Sequence, residues 1–132
     1  MVLFDTSILV GYLRRGLYAR EIDRVHDLIR NSSVVLAELW RGAKEPQERA
    51  FLEALEKNLP VLVPTAKNWA DSGRLLARVN KETGFTADKL RDVHFDVLIA
   101  LTARSHGARL VTANRADFEL IRRYQAFDLV VW

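Results

Sequence analysis

Four carboxylates carry most of the chemistry that this chain could perform. Asp5 closes the apolar run Val2-Leu3-Phe4 in "MVLFDTS". Glu38 lies in "VVLAELWRG", Asp96 in "DVHFDVLIALTA" and Asp117 in "LVTANRADF". Each also has an ordinary reading. Asp5 would cap a following helix, whose first N–H groups need acceptors, although Thr6 and Ser7 offer the same service. Glu38 is a good helix former that would simply face water. Asn114 and Asp117, three apart, have the form of a cap and its N3 partner. Asp96 is the most telling. On a helix it stacks with Ile99, Ala100 and Ala103 beside an apolar stripe of Val93, Val97 and Leu101, and a carboxylate there is costly to bury unless its charge is compensated. Asp92, one turn earlier, adds an acid to the same side and receives no role.

Taken jointly, the four acids fall at a first-strand end, on two helices and at a later strand end. Like charges gathered at one rim require cations. With no cysteine in the chain and no histidine pair, the ligands would be oxygen alone, which favours Mg2+ or Mn2+ over Zn2+. Such an ion activates water and offsets the charge that builds on a phosphate during displacement. His94 and His106 are assigned no role.

The elements that must position these acids follow from apolar periodicity. Val2–Asp5 has the form of a strand buried on both faces. Helices are expected from Ile8 to near Gly16, over Ala19–Ile29, and from Val35 to near Gly42, with Asn31-Ser32-Ser33 a polar break. Any second strand ahead of Ser32 must be very short. Glu45–Asn58 reads as helix, Pro60–Pro64 as strand, and Thr65 to about Glu82 as helix. Thr83–Leu90 is irregular, Asp92–His106 a helix stopped by Gly107, Ala108–Thr112 a strand, Asn114–Tyr124 a helix and Phe127–Trp132 a last strand. Strands alternating with crossover helices imply a three-layer α/β/α sandwich with a mostly parallel central sheet, in which ligands gather where strands end and helices begin.

Composition bounds the rest. The 132 residues, 49% hydrophobic, suffice for one domain and one core, so residues 1–132 are expected to form a single unit. No apolar run approaches the roughly 18 residues of a membrane span, and Asp5 interrupts the N-terminus too early for a secretory leader. The expectation is a soluble, cytoplasmic protein. Net charge is +3, a weak pointer to nucleic acid.

The order "LFDTS", "SSVVLAEL", "FDVLIALTA", "LVTANRADF" resembles a PIN-domain ribonuclease, and the short chain is similar to VapC-type toxins of toxin–antitoxin systems. The resemblance runs across nearly the whole chain. It implies that Asp5, Asp96 and Asp117 hold Mg2+, with Mn2+ as an alternative, and that Glu38 ligates directly or through water. Thr6, Ser7, Thr112 and Asn114 would be the small polar residues that orient those acids. The implied reaction is hydrolysis of an RNA phosphodiester by in-line attack of an activated water. The family often has a hydroxyl residue where Val35 stands, three before Glu38, and its second strand is poorly marked here.

Were metal to neutralise four of the 17 acids, 20 basic residues would face 13. Arg14, Arg15, Arg41 and Lys44, with Arg20 and Arg24, are then candidates to hold RNA phosphates; Tyr12, Trp40 and Trp69 are aromatics that stack on bases or pack in interfaces. The resemblance further implies a homodimer and a cognate antitoxin partner, with no membrane association. Tyr12, Leu13, Leu17, Tyr18, Leu39 and Trp40 are candidate sources of the apolar surface this needs. One competing reading is a non-catalytic PIN-like module that binds RNA or protein. Another, a phosphotransfer domain, is disfavoured: a haloacid-dehalogenase site needs a second Asp where Ser7 stands, and a receiver needs a Lys that Thr112-Ala113-Asn114-Arg115 does not supply.

Overall fold

The structure is a computed structural model that describes residues 1–132. Five strands pair throughout in parallel, in the order β3-β2-β1-β4-β5. They are β1 (Val2–Phe4), β2 (Ile29–Ser32), β3 (Val61–Leu62), β4 (Arg109–Thr112) and β5 (Leu129–Val131). Between them lie α1 (Thr6–Arg15), α2 (Ala19–Asp23), α3 (Ser33–Gly42), α4 (Pro46–Asn58), α5 (Ala66–Thr83), α6 (Ala87–Ser105) and α7 (Arg115–Arg122). The connections from β1 to β3 step one way along the sheet and those from β3 to β5 step the other way. Right-handed crossovers therefore place α1–α4 over one face and α5–α7 over the other. The three-layer sandwich expected from the sequence is what forms, with the sheet wholly rather than mostly parallel.

The central strand explains the opening apolar run. β1 is flanked by β2 and β4, so its Val2, Leu3 and Phe4 are all buried, Leu3 completely. A strand covered on both faces has no position for a polar side chain. On the α5–α7 side, Val93, Val97, Ala100 and Leu101 of α6 are buried in the core with Phe118 and Ile121 of α7.

Helix ends are set by local chemistry. Thr65 and Asn68 exchange two bonds as a capping box for α5, and Thr86 caps α6. Gly16, Gly84 and Gly107 take left-handed backbone where chain direction changes. Asp5 is itself the N-cap of α1, Ser32 that of α3 and Asn114 that of α7.

Two stretches depart from the sequence reading. The helix expected over Ala19–Ile29 ends at Asp23, and Ile29–Ser32 is strand. Pairing of Val2 with Ile29 and of Ser32 with Leu62 recruits these residues into the sheet, overriding an apolar spacing that also suited a helix. The last long helix begins at Ala87 rather than Asp92, because Thr86 starts it immediately after the break at Gly84 and Phe85. No helix is long and apolar enough to cross a membrane.

Candidate functional site

The strand order reverses direction beside β1, and the carboxyl ends of β1 and β4 meet there. Asp5 follows the last residue of β1, and Thr112 is the last of β4. Backbone pairing carries this close: the Asp5 N–H bonds the Val111 carbonyl at 2.9 Å. Such a switch point is where open parallel sheets present side chains to a ligand.

Asp5 is 3% exposed. Its Oδ2 accepts the Ser7 hydroxyl at 2.7 Å, the Thr112 hydroxyl at 2.8 Å and the Ser7 N–H at 3.4 Å. Ser7 Oγ and Thr112 Oγ1 lie 3.2 Å apart, Ser7 Oγ also accepts the Ala113 N–H and Thr112 Oγ1 the Asn114 N–H. A web of short polar residues thus fixes one carboxylate oxygen and leaves Oδ1 outside it. Burial raises the Asp5 pKa, and the bonds from Ser7 and Thr112 pull it back. The choice between cap and site posed by the sequence dissolves, since Asp5 caps α1 through the same oxygen that Thr112 holds. Thr6 and Ser7 do not take over that cap.

Two of the other three acids, Glu38 and Asp117, each meet one of the small polar residues named from the sequence. Thr6 Oγ1 donates to Glu38 Oε1 at 2.9 Å, joining α1 to α3. Asn114 Nδ2 donates to Asp117 Oδ2 at 3.0 Å, and its Oδ1 accepts the Asp117 N–H at 3.4 Å. Asn114 and Asp117 therefore form the predicted cap pair as well. Asp96 is held differently. No donor group satisfies it; burial, then the negative charges of Asp5, Asp117 and Glu38, push its pKa up to about 9, opposed by Lys89. Glu38 is raised by burial and by Asp5 and Asp92, against the Thr6 hydroxyl and Arg41. The mutual action of these charges brings all four acids into one cluster, with exposed Asp92 at its margin beside Glu38.

Asp117 is the exception in sign. Burial would raise it, but Lys89 and Asn114 outweigh burial and hold it below its ordinary value. Lys89 Nζ reaches both of its carboxylate oxygens, at 2.9 and 3.0 Å. Sequence reading missed Lys89 because it lay in the stretch read as irregular. Its seven-residue spacing from Asp96 on one helix was the available signal.

Whether this cluster suits a divalent cation can be judged from its chemistry. Asp96, the Oδ1 of Asp5, Glu38 and Asp117 offer oxygen donors and excess negative charge, as Mg2+ or Mn2+ requires. No three acids stand close enough to form a closed ligand group in this structure. The donor types and charge fit the ion.

The basic candidates divide. Arg14 shares a cleft of about 150 Å3 with Glu38, yet it bonds the Gly42 carbonyl at 2.9 Å and pairs with Glu48 at 3.4 Å. Arg41 lies over the Phe95 ring at 5.8 Å and acts on Glu38. The side chains of Arg15 and Lys44 are exposed. Arg24, beside Asp27 and Arg109, sits near the amino ends of the strands, away from the acids. Of the aromatics, Tyr12 packs near Phe51, Trp69 near His94, and the Trp40 indole donates to Glu56. Leu39, a candidate for exposed surface, is instead core at 6% exposure, because its position on α3 faces inward. Tyr12 and Leu17 are exposed, and Tyr12 borders an apolar cleft of about 220 Å3 with Leu9, Ile22, Val35, Phe51 and Leu55.

Residues 2–124 match the family model described as PIN domain. No curated protein matches the chain. Among solved structures, VapBC2 from Rickettsia felis bound to a promoter DNA fragment is similar over 100% of this chain and 99% of its own, at 26% identity and TM-score 0.76. The DNA-bound VapBC of Salmonella typhimurium follows at 24% identity and TM-score 0.75, covering 100% and 99% of the two chains. The Mycobacterium tuberculosis toxin VapC20, described as cleaving the sarcin-ricin loop, is 17% identical over 85% of this chain and 87% of its own, with TM-score 0.64. The two likenesses below 25% identity are likenesses of fold.

Proposed function

The chain belongs to the PIN-domain family, and from that premise we propose that it is a Mg2+-dependent endoribonuclease acting as the toxin of a toxin–antitoxin pair. The observation that carries this reading is the convergence of Asp5, Glu38, Asp96 and Asp117 at the β1/β4 switch point, with Asp96 left without a donor. Asp5, Asp96 and Asp117 would hold the ion, and Glu38 would ligate directly or through water. When bound, the ion would lower the pKa of an attacking water and offset charge on the scissile phosphate. The chain's own residues set the geometry. Ser7 and Thr112 fix Asp5, Thr6 fixes Glu38 and Asn114 fixes Asp117, as residues behind metal ligands do. Arg41, Arg15 and Lys44 are candidates to hold flanking phosphates, while Arg14 would first have to leave Glu48.

The toxin role draws support from the VapBC complexes and from the RNA-cleaving description of VapC20. The apolar cleft beside Tyr12 suits an apolar segment of a cognate antitoxin, and a homodimer is proposed by the same likeness. Purified protein incubated with structured RNA and Mg2+ tests the reading, with EDTA and Asp96→Asn as controls. Cleavage that needs the metal and disappears in the variant supports it; metal-independent cleavage, or full activity in Asp96→Asn, overturns it.

A further inference from the structure

Lys89 is the cation that forms an ion pair with one of the four clustered acids. Its ammonium spans both oxygens of Asp117, its side chain remains 40% exposed, and it lies 5.8 Å from the centre of the Phe85 ring. Helix stability does not explain a lysine there. Thr86 is the N-cap of α6, so Lys89 stands in the first turn, where the helix dipole disfavours a cation. Nor does Asp117 need Lys89 for orientation, because Asn114 already bonds both its carboxylate and its N–H.

We propose that Lys89 is a tethered counter-cation of the acid cluster, competing with the divalent ion for Asp117 and, once displaced, holding the phosphate being cleaved. The inference rests on the metal-centre reading above and adds a residue to it. A long flexible stem with a compact charged head suits exchange between two anions. In the metal-free protein the ammonium screens part of the cluster's repulsion. With the ion in place Asp117 is taken, and the freed ammonium faces the remaining anion at the site, the RNA phosphate.

A purely structural Lys89 predicts the opposite result on removal. If it merely positioned Asp117, Lys89→Gln would loosen that acid and weaken metal binding. If it competes, Lys89→Gln strengthens binding. Mn2+ titration of the metal-free full chain by calorimetry separates the two, comparing wild type, Lys89→Gln, Lys89→Arg and the neighbouring Arg91→Gln. We expect about three- to tenfold tighter binding in Lys89→Gln from loss of one nearby positive charge, with Lys89→Arg and Arg91→Gln close to wild type. At saturating Mg2+, RNA cleavage by Lys89→Gln should fall by about ten- to a hundredfold, and Lys89→Arg should recover part of it. Equal or weaker Mn2+ binding in Lys89→Gln overturns the competition, and undiminished cleavage overturns the phosphate role. If no variant binds Mn2+, the metal-centre reading itself falls and takes the proposal with it.

Discussion

Thr112 donates its hydroxyl to Asp5 Oδ2 at 2.8 Å, although the two residues stand 107 positions apart in the chain. The bond is buried and crosses from the end of one strand to the end of its neighbour. Thr112 Oγ1 also accepts the Asn114 N–H at 2.9 Å, so one hydroxyl fixes an acid of the cluster and the cap residue of α7. Thr112→Val keeps the shape and removes both bonds. It should cost about 1–3 kcal/mol of stability by leaving polar groups without partners, read from urea unfolding, and should lower metal affinity because Asp5 loses its orientation.

Asp5 joins a capping role to a charge. Asparagine caps a helix as well as aspartate does, and its amide oxygen can still accept from Ser7 and Thr112. Asp5→Asn should therefore unfold within about 1 kcal/mol of wild type while RNA cleavage drops at least about a hundredfold. Asp5→Ala should lose the cap too, at a cost of about 1 kcal/mol. Retained cleavage in a folded Asp5→Asn protein would return Asp5 to a cap alone.

Stability of the metal-free protein should fall as pH rises above the ordinary carboxylate range. Folded Asp96 keeps its proton up to about 9, whereas its ordinary value is 3.8. Between those values the unfolded chain has released a proton that the folded chain retains, so rising pH favours unfolding. Asp5 and Glu38, also raised, act in the same direction. Asp117, held low, contributes stability above its ordinary value that is lost only as pH falls into the acid range. Melting temperatures measured from pH 5 to 9 should decline, and Asp96→Asn should flatten the decline. Added Mg2+ should stabilise wild type more at pH 8 than at pH 5.5, since metal and proton compete for the same oxygens.

A fourth outcome concerns the fold away from the acids. Buried Asn31 donates to the Leu55 carbonyl at 2.8 Å, which also accepts the Leu59 N–H, and to the Leu59 carbonyl at 3.3 Å, tying β2 to the end of α4. Asn31→Leu should destabilise by about 1–3 kcal/mol in denaturant unfolding. Because Asn31 touches none of the four acids, Mn2+ affinity of the folded fraction should not change.

Much of this architecture was legible because its signals are local. Val2–Phe4, the α6 stripe and the glycines after α1 and α6 each announce their element within a few residues. β2 was obscured because it is short and ends in polar Asn31 and Ser32, and only its two neighbours make it a strand. The four acids could be picked out by their intrusion into apolar runs. Their partners could be named but not joined, since Ser7–Thr112 and Thr6–Glu38 are contacts between distant segments. Lys89 was lost to a misplaced helix start, which a closer reading of Thr86 as a cap would have corrected.

The middle position of β1 has a consequence for biosynthesis. β1 leaves the ribosome before either of the strands that flank it, and it waits for β4, about a hundred residues later, before its second neighbour exists. Contacts of such long separation form late. Asp5 therefore gains Thr112, and the company of Asp117, only once β4 and the start of α7 have been made. A chain still short of β4 carries Asp5, Glu38 and Asp96 without the geometry that unites them, so the cluster cannot assemble until β4 pairs with β1.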